Sequence, residues 1–179
     1  QLSDLLPIPV TEEAVRWTAE RVSRAQDILG MRIGLENASY YVAPPGAEMN
    51  EIEFIRAVIE EADCLLHLDV NNIYVNSLNH TFNPMRFLKA LPLERTCYIH
   101  VAGHYVEPDG LVVDTHGAPV IDPVWALLDA AYAVCGPVPT CLERDFNIPD
   151  LDELAREVSV IASFQCRHAP TDFCRRAAG

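Results

Sequence analysis

Apolar residues recur every three or four positions in some stretches of the chain, and between these lie short runs that are almost wholly apolar. The alternation predicts helices and buried strands in turn. The first helical stretch follows Thr11, an N-cap residue with Glu12 and Glu13 in the first turn. Ala14, Val15, Thr18, Val22, Ala25 and Leu29 form its apolar stripe, and Gly30 stops it. MRIGLE then reads as a short strand, and a loop through Pro44, Pro45 and Gly46 leads to a helix over NEIEFIRAVIEEA with Asn50 as its cap. CLLHLDV is a second strand, nearly continuous in apolar residues apart from His67, the pattern of a sheet covered on both faces.

Short helical pieces over 72–79 and 84–91 precede a third strand, RTCYIHVAG, and GLVVDTH reads as a small β-excursion in the following loop. Asp122-Pro123 opens a helix to about Cys135, which Gly136-Pro137 ends. VPTCLERD is the fourth strand, Asp150 caps a last helix over LDELAREVSVIASF, and residues 164–179 read as a tail or short helix. A helix followed by four strand-helix units demands right-handed crossovers and a parallel sheet, hence an α/β class. Four βα units are half of a (βα)8 TIM barrel, so residues 1–179 are expected to form one domain, a half barrel. A doubly wound sheet fits less well, because no glycine-rich phosphate loop follows any strand, although a flavodoxin-like sheet also accommodates strands ending in acids.

Composition narrows the function classes. Half the residues are hydrophobic and the formal net charge is −13, with no basic stripe, so a nucleic-acid partner is not expected. The six cysteines show no CxxC or finger spacing, and Cys64, Cys97 and Cys141 fall in apolar runs; they are read as reduced, in a cytoplasmic protein. No apolar run approaches the ~18 residues that span a bilayer, and no signal peptide is evident, so no membrane association is expected. The chain begins at Gln1 in a segment that reads like a loop inside a larger protein, so residues upstream are expected to be missing or removed.

Chemistry-bearing residues concentrate where the strands end: Glu36, Asp69, His100, the Asp114/His116 pair and Glu143. A polar ligand at the carboxyl end of one strand after another is how a βα-barrel builds a metal site. A single acid at a strand end is usually a helix cap or a solvated loop residue, and a lone histidine a hydrogen-bonded core residue. Six such residues over every strand end point instead to a metal site, for which carboxylates and imidazoles suit Fe, Mn or Zn. Asp114 and His116, at i and i+2 on an extended segment, are expected to point the same way and chelate one ion. His104 is the candidate catalytic residue, with a ligand, a proton donor and a substrate contact all open. His67 shares the face of Asp69 and is read as a core or lower-layer residue rather than a ligand. Asn37, Asn71 and Asn72 suit hydrogen bonding to ligands or loop capping equally. His80 and His168 are read as surface residues, and Trp17 and Trp125 as packing residues.

The segments DLLPIPVTEEA, LENASYYV, LDVNNIYVNSLNH, IHVAGHYV, VDTHGAPVIDPVWALL and GPVPTCLERDFNIP, in that order, resemble the second half of the MbnB/TglH-like family of multinuclear non-haem iron enzymes. The resemblance covers roughly residues 2–160 and implies the carboxy-terminal half of a TIM barrel related to xylose-isomerase-like enzymes. It implies two or three irons, and oxidation of a cysteine in a ribosomally made precursor peptide that a partner protein presents. Carried onto this chain, it makes Glu36 and Asp69 bridging ligands, His100 an imidazole ligand, Asp114 and His116 a chelating pair and Glu143 a carboxylate ligand. The family's first half, with further histidine-bearing motifs, has no counterpart here, so the chain's own amino-terminal half or a second copy is expected to complete the barrel. Two other readings of the strand-end pattern are a Mn- or Zn-dependent sugar isomerase or phosphoesterase on the same barrel, and a non-catalytic half-barrel module.

Overall fold

The computed structural model describes residues 7–170. Four parallel strands form the main sheet in the order β1 (Gly34–Glu36), β2 (Leu65–Asp69), β3 (Thr96–Ala102) and β6 (Thr140–Glu143). The helices are α1 (Glu12–Leu29), α2 (Glu51–Glu61), α3 (Val70–Asn79), α4 (Pro84–Ala90), α5 (Asp122–Cys135) and α6 (Leu151–His168). The excursion after β3 is a two-stranded antiparallel ribbon, β4 (Tyr105–Val106) with β5 (Val112–Val113).

Strand alternation gives the sheet two unlike faces. Leu66 and Leu68 of β2 and Ile99 and Val101 of β3 are fully buried, in one cluster with Val124, Leu127, Leu128 and Tyr132 of α5. The residues between them carry the chemistry. The register aligns Glu36 with His67, Asp69 with His100, and Ala102 with Glu143, so acids and imidazoles climb one face in successive layers. A register shift between Leu66 and His67 marks a bulge opposite Cys97. The outer strands β1 and β6 each have one unpaired edge among the described residues.

Local chemistry fixes the elements. Thr11 caps α1 by accepting from the Ala14 amide, and α2 opens with a full capping box between Asn50 and Glu53. A Cβ on Gly103, just past β3, would overlap the carbonyl oxygen of Ala118, so the turn after His116 packs on β3 only because Gly103 is bare. Arg144, after β6, is buried against Glu157 of α6 at 2.6 Å, and Glu157 also accepts from the Val120 amide at 2.7 Å. One carboxylate thereby ties α6 to both loops.

Several expectations need correction. The apolar face of α1 is Val15, Ala19 and Val22, whereas Leu29 at its carboxyl end is 61% exposed. Helix α3 starts at Val70, because Asp69 is itself the cap. Helix α6 runs to His168, so residues 165–168, expected in a tail or short helix, continue the last helix; Arg167 and His168 both reach Asp129 of α5. Residues 171–179 of the predicted tail, with Cys174, lie outside the described residues. His80 stacks on Tyr40 and bonds its carbonyl, so neither His80 nor His168 is a free surface residue. Trp17 is exposed beneath the Arg21 guanidinium, while Trp125 packs on Phe164. No helix among the described residues is long and apolar enough to cross a membrane.

Candidate metal centre

Asp69 is the centre of the site. It is buried at the end of β2, where one carboxylate oxygen caps α3 by accepting from the Asn72 amide at 2.7 Å. Its other oxygen, Oδ2, is sealed from solvent and has no hydrogen-bond partner among the described residues. The side-chain amide of Asn37 donates to the Asp69 carbonyl at 2.8 Å and its oxygen accepts from the Asp69 backbone amide at 2.9 Å, which locks the end of β1 to the end of β2.

His100, beside Asp69 in the register, places Nδ1 3.4 Å from Glu36 Oε1 and 3.3 Å from Glu143 Oε2. Donor atoms gather in two sets that share His100, namely Glu36, His67 and His100, and Asp69, His100 and Glu143, each within 4.8 Å. Ligands about 2.0–2.2 Å from one ion lie within roughly 4.4 Å of one another, so both sets are near ion size. His67 belongs here rather than to an inert lower layer: its ring packs edge-on against His100 at 4.1 Å, and its buried Nε2 has no hydrogen-bond partner among the described residues.

Asp114 and His116 form an adjoining set. Asp114 accepts from Asn71 at 2.6 Å and from Ser39 at 3.1 Å, and its amide donates to the Tyr41 hydroxyl at 3.2 Å. His116 Nε2 lies 3.0 Å from Asp114 Oδ1, without hydrogen-bond geometry, while Nδ1 is 3.1 Å from Asp145 and 3.7 Å from Glu143. The pair meets as expected but for a different reason: the strand ends at Val113, and His116 turns back with φ of 52°. That left-handed conformation is uncommon for a residue with a side chain.

The charges are those of a cation site. Burial pushes the Asp69 carboxyl well above its ordinary range, and Asp114, Glu36 and Glu143 push it further. Burial also raises Glu143. Contact with Glu36 raises His100 and in return lowers Glu36. Contact with Asp114 pushes His116 up to about 9. Crowded carboxylates of this kind are stabilised by a bound cation, and the unpartnered Asp69 oxygen is a position such an ion would satisfy. Oxygen and imidazole donors fit Fe, Mn or Zn equally well by type.

Of the residues expected from the sequence, Glu36, Asp69, His100 and Glu143 come together, and Asp114 and His116 sit next to them through Glu143. His104 is apart from the donor sets. Its Nδ1 is 2.9 Å from Asn71 Oδ1, its ring lies against Tyr74, and burial lowers its pKa so that it is held neutral. Because Asn71 gives its NH2 to Asp114, its oxygen accepts from His104, which leaves His104 Nε2 as an acceptor. Sequence reasoning passes over Asp145, although its place two residues after Glu143 is an available signal.

The fold and site therefore define an α/β protein with a carboxylate- and histidine-lined metal-type centre at the ends of parallel strands. Over residues 1–166 the chain matches the family described as RiPP precursor modification enzyme MbnB/TglH/ChrH, and it belongs to that family. It is 62% identical over 168 residues to a UPF0276 protein of Nitrosospira multiformis, covering 94% of this chain and 59% of that one. A UPF0276 protein of Neisseria meningitidis serogroup B is 56% identical over 179 residues, covering 99% and 63% respectively. The chain thus spans about 60% of the length of these curated relatives. A sugar phosphate isomerase/epimerase from Parabacteroides distasonis shares the fold alone, with a TM-score of 0.54 at 15% identity over 93% of this chain and 57% of that one.

Proposed function

We propose that the protein, at the length of its relatives, is a multinuclear non-haem iron oxidase that acts on a cysteine of a ribosomally synthesised precursor peptide. Membership of the precursor-modification family supports the substrate class. The observation that carries the metal reading is the buried, unpartnered Asp69 oxygen among His100 and Glu143. Glu36, Asp69 and Glu143 would hold the ions through carboxylate oxygens, with nitrogen from His100, and Asp114 with His116 would extend the set. Iron held there would supply the redox chemistry needed to oxidise a cysteine.

The chain's own residues orient and shield. Asn37 and Asn72 fix Asp69, while Ser39 and Asn71 fix Asp114. His104, kept neutral with Nε2 as acceptor and tied to Asp114 through Asn71, is the proposed proton carrier. The four-stranded sheet is read as half a TIM barrel, since unpaired edges of β1 and β6 favour a complementary half, either the protein's own or a second copy. A second protein is proposed to present the precursor peptide. Free thiols at Cys64, Cys97, Cys135 and Cys141 support a cytoplasmic setting.

Metal analysis with Mössbauer spectroscopy on anaerobically purified full-length protein tests this reading. Coupled ferrous or mixed-valence iron is the expected result. Zn or Mn in its place, with no coupled iron, overturns it.

A further inference from the structure

A cavity of about 520 Å³ lies between the stretch around Pro7–Val10, the loop after β1 and the start of α2. Its walls are mostly apolar, including Val10, Leu35, Met49, Phe54 and Ile55. Glu36 and Ser39 line it too. Glu36 contacts the His100 imidazole and Ser39 donates to Asp114, so the cavity shares a wall with the metal centre. An occupant of the cavity therefore lies beside the ligands.

The polar end is Glu51, which accepts a hydrogen bond from the Tyr40 hydroxyl at 3.0 Å. Tyr40 is itself fixed: its amide donates to Asn76, and its ring stacks on His80 at 4.3 Å. The described lining holds two carboxylates, Glu36 and Glu51, and no Lys, Arg or His. Burial pushes the Glu51 carboxyl up to about 7, the Tyr40 hydroxyl being its one counteracting partner. A cation brought to Glu51 would restore its charge at neutral pH, and an aliphatic stem behind that cation would lie along the apolar wall. The volume falls in the range of roughly 300–1,000 Å³ usual for ligand sites.

We infer that this cavity anchors an aliphatic side chain ending in a cation, an alkylammonium or alkylguanidinium group, whose head pairs with Glu51. Resting on the peptide-substrate reading above, the occupant is a lysine or arginine side chain near the reacting cysteine. The apolar wall selects the stem and Glu51 selects the charge.

The test uses n-butylammonium as probe and n-butanol as its uncharged control, each followed by 15N NMR titration of the whole protein. Saturable shifts at Met49, Phe54 and Ile55 are expected with butylammonium at pH 8, and at least ten-fold weaker binding to Glu51→Gln, with butanol binding unchanged. On the unaltered protein, butylammonium affinity is expected to rise severalfold from pH 6 to pH 8. The probe stays charged throughout, Tyr40 stays protonated, and Glu36 is held below the ordinary carboxyl range, so Glu51 is the facing group that ionises. Equal binding to Glu51→Gln, a flat pH response, or no saturable shift overturns the inference. None of these readouts needs iron or turnover, so loss of the iron reading would leave the result standing, and the reverse.

Discussion

Replacing Asp69 by Asn separates the two things that residue does. The cap on α3 uses one oxygen, at 2.7 Å from the Asn72 amide, and Asn caps as well as Asp, so the loss of roughly 1 kcal/mol expected for Ala is avoided. The other oxygen is buried without a partner. A buried polar group left unpaired costs about 1–3 kcal/mol, and more when charged. The side-chain NH2 of the Asp69→Asn variant falls where that oxygen was, near the Glu143 carboxylate, which can accept from it. Metal-free Asp69→Asn protein is therefore expected to be about 1–3 kcal/mol more stable than the unaltered protein at pH 8.

The sign depends on pH and on metal. Burial raises the folded Asp69 carboxyl above its ordinary 3.8, so the folded protein holds a proton that the unfolded chain releases. Stability from this group is complete below 3.8 and is lost as pH rises through the folded value. Asn has nothing to ionise, so the advantage of the variant widens from pH 5 to pH 8 in the presence of a chelator. With metal bound the order reverses, because an anionic ligand is gone and affinity falls by at least about 10–100-fold, the range seen even for partners of ligands. Urea denaturation at both pH values, with chelator and with anaerobic ferrous iron, measures all four states. A metal-free variant less stable than the parent by more than ~1 kcal/mol at pH 8, or one that keeps iron as tightly, refutes the reasoning.

The fold is largely legible in the sequence because its signals are local. Caps at Thr11, Asn50 and Asp150 and the Asp122-Pro123 start place helices correctly, and each predicted strand is found. The errors fall where tertiary contacts override local pattern. Nothing within LDELAREVSVIASF and the residues after it reveals that Asp129, on another helix, holds Arg167 and His168 and so extends α6. The early start of α3 is hidden because an acid at a strand end reads as a ligand, although one carboxylate has oxygens enough for ligation and capping together.

For the site, strand ends tell which residues gather but not how. The β1–β2 register brings His67 into line with Glu36, and its ring reaches His100 across the bulge at Cys97 in the β2–β3 pairing; a single strand's sequence encodes neither. The turn at His116 likewise depends on a distant residue, Gly103 at the end of β3, being bare enough for Ala118 to approach. Sequence leaves Asn71 between capping and ligand support; its two bonds, to Asp114 and His104, make it the link between the donor sets and the proposed proton carrier.

Two further outcomes follow from these contacts. Gly103→Ala forces a Cβ onto the Ala118 carbonyl, and a backbone clash of this kind is expected to cost more than about 3 kcal/mol. Thermal denaturation measures it; a cost below ~1 kcal/mol would mean that the 116–118 turn moves freely away from β3. Glu51→Gln tests a second, half-buried acid through pH alone. The Glu51 carboxyl moves from an ordinary 4.5 to about 7 on folding, so its protonated form is the one the fold prefers. The stability it contributes is present below 4.5 and disappears as pH rises through about 7, a loss of at most about 3 kcal/mol, less whatever solvent reaches this half-buried group. Gln stays neutral and still accepts from Tyr40, so Glu51→Gln is expected to match the parent near pH 5 and exceed its stability near pH 8. Parallel stability curves for the two proteins from pH 5 to pH 8 would show that Glu51 is already paired or solvated, and the cavity would then lack the uncompensated charge that calls for a cation.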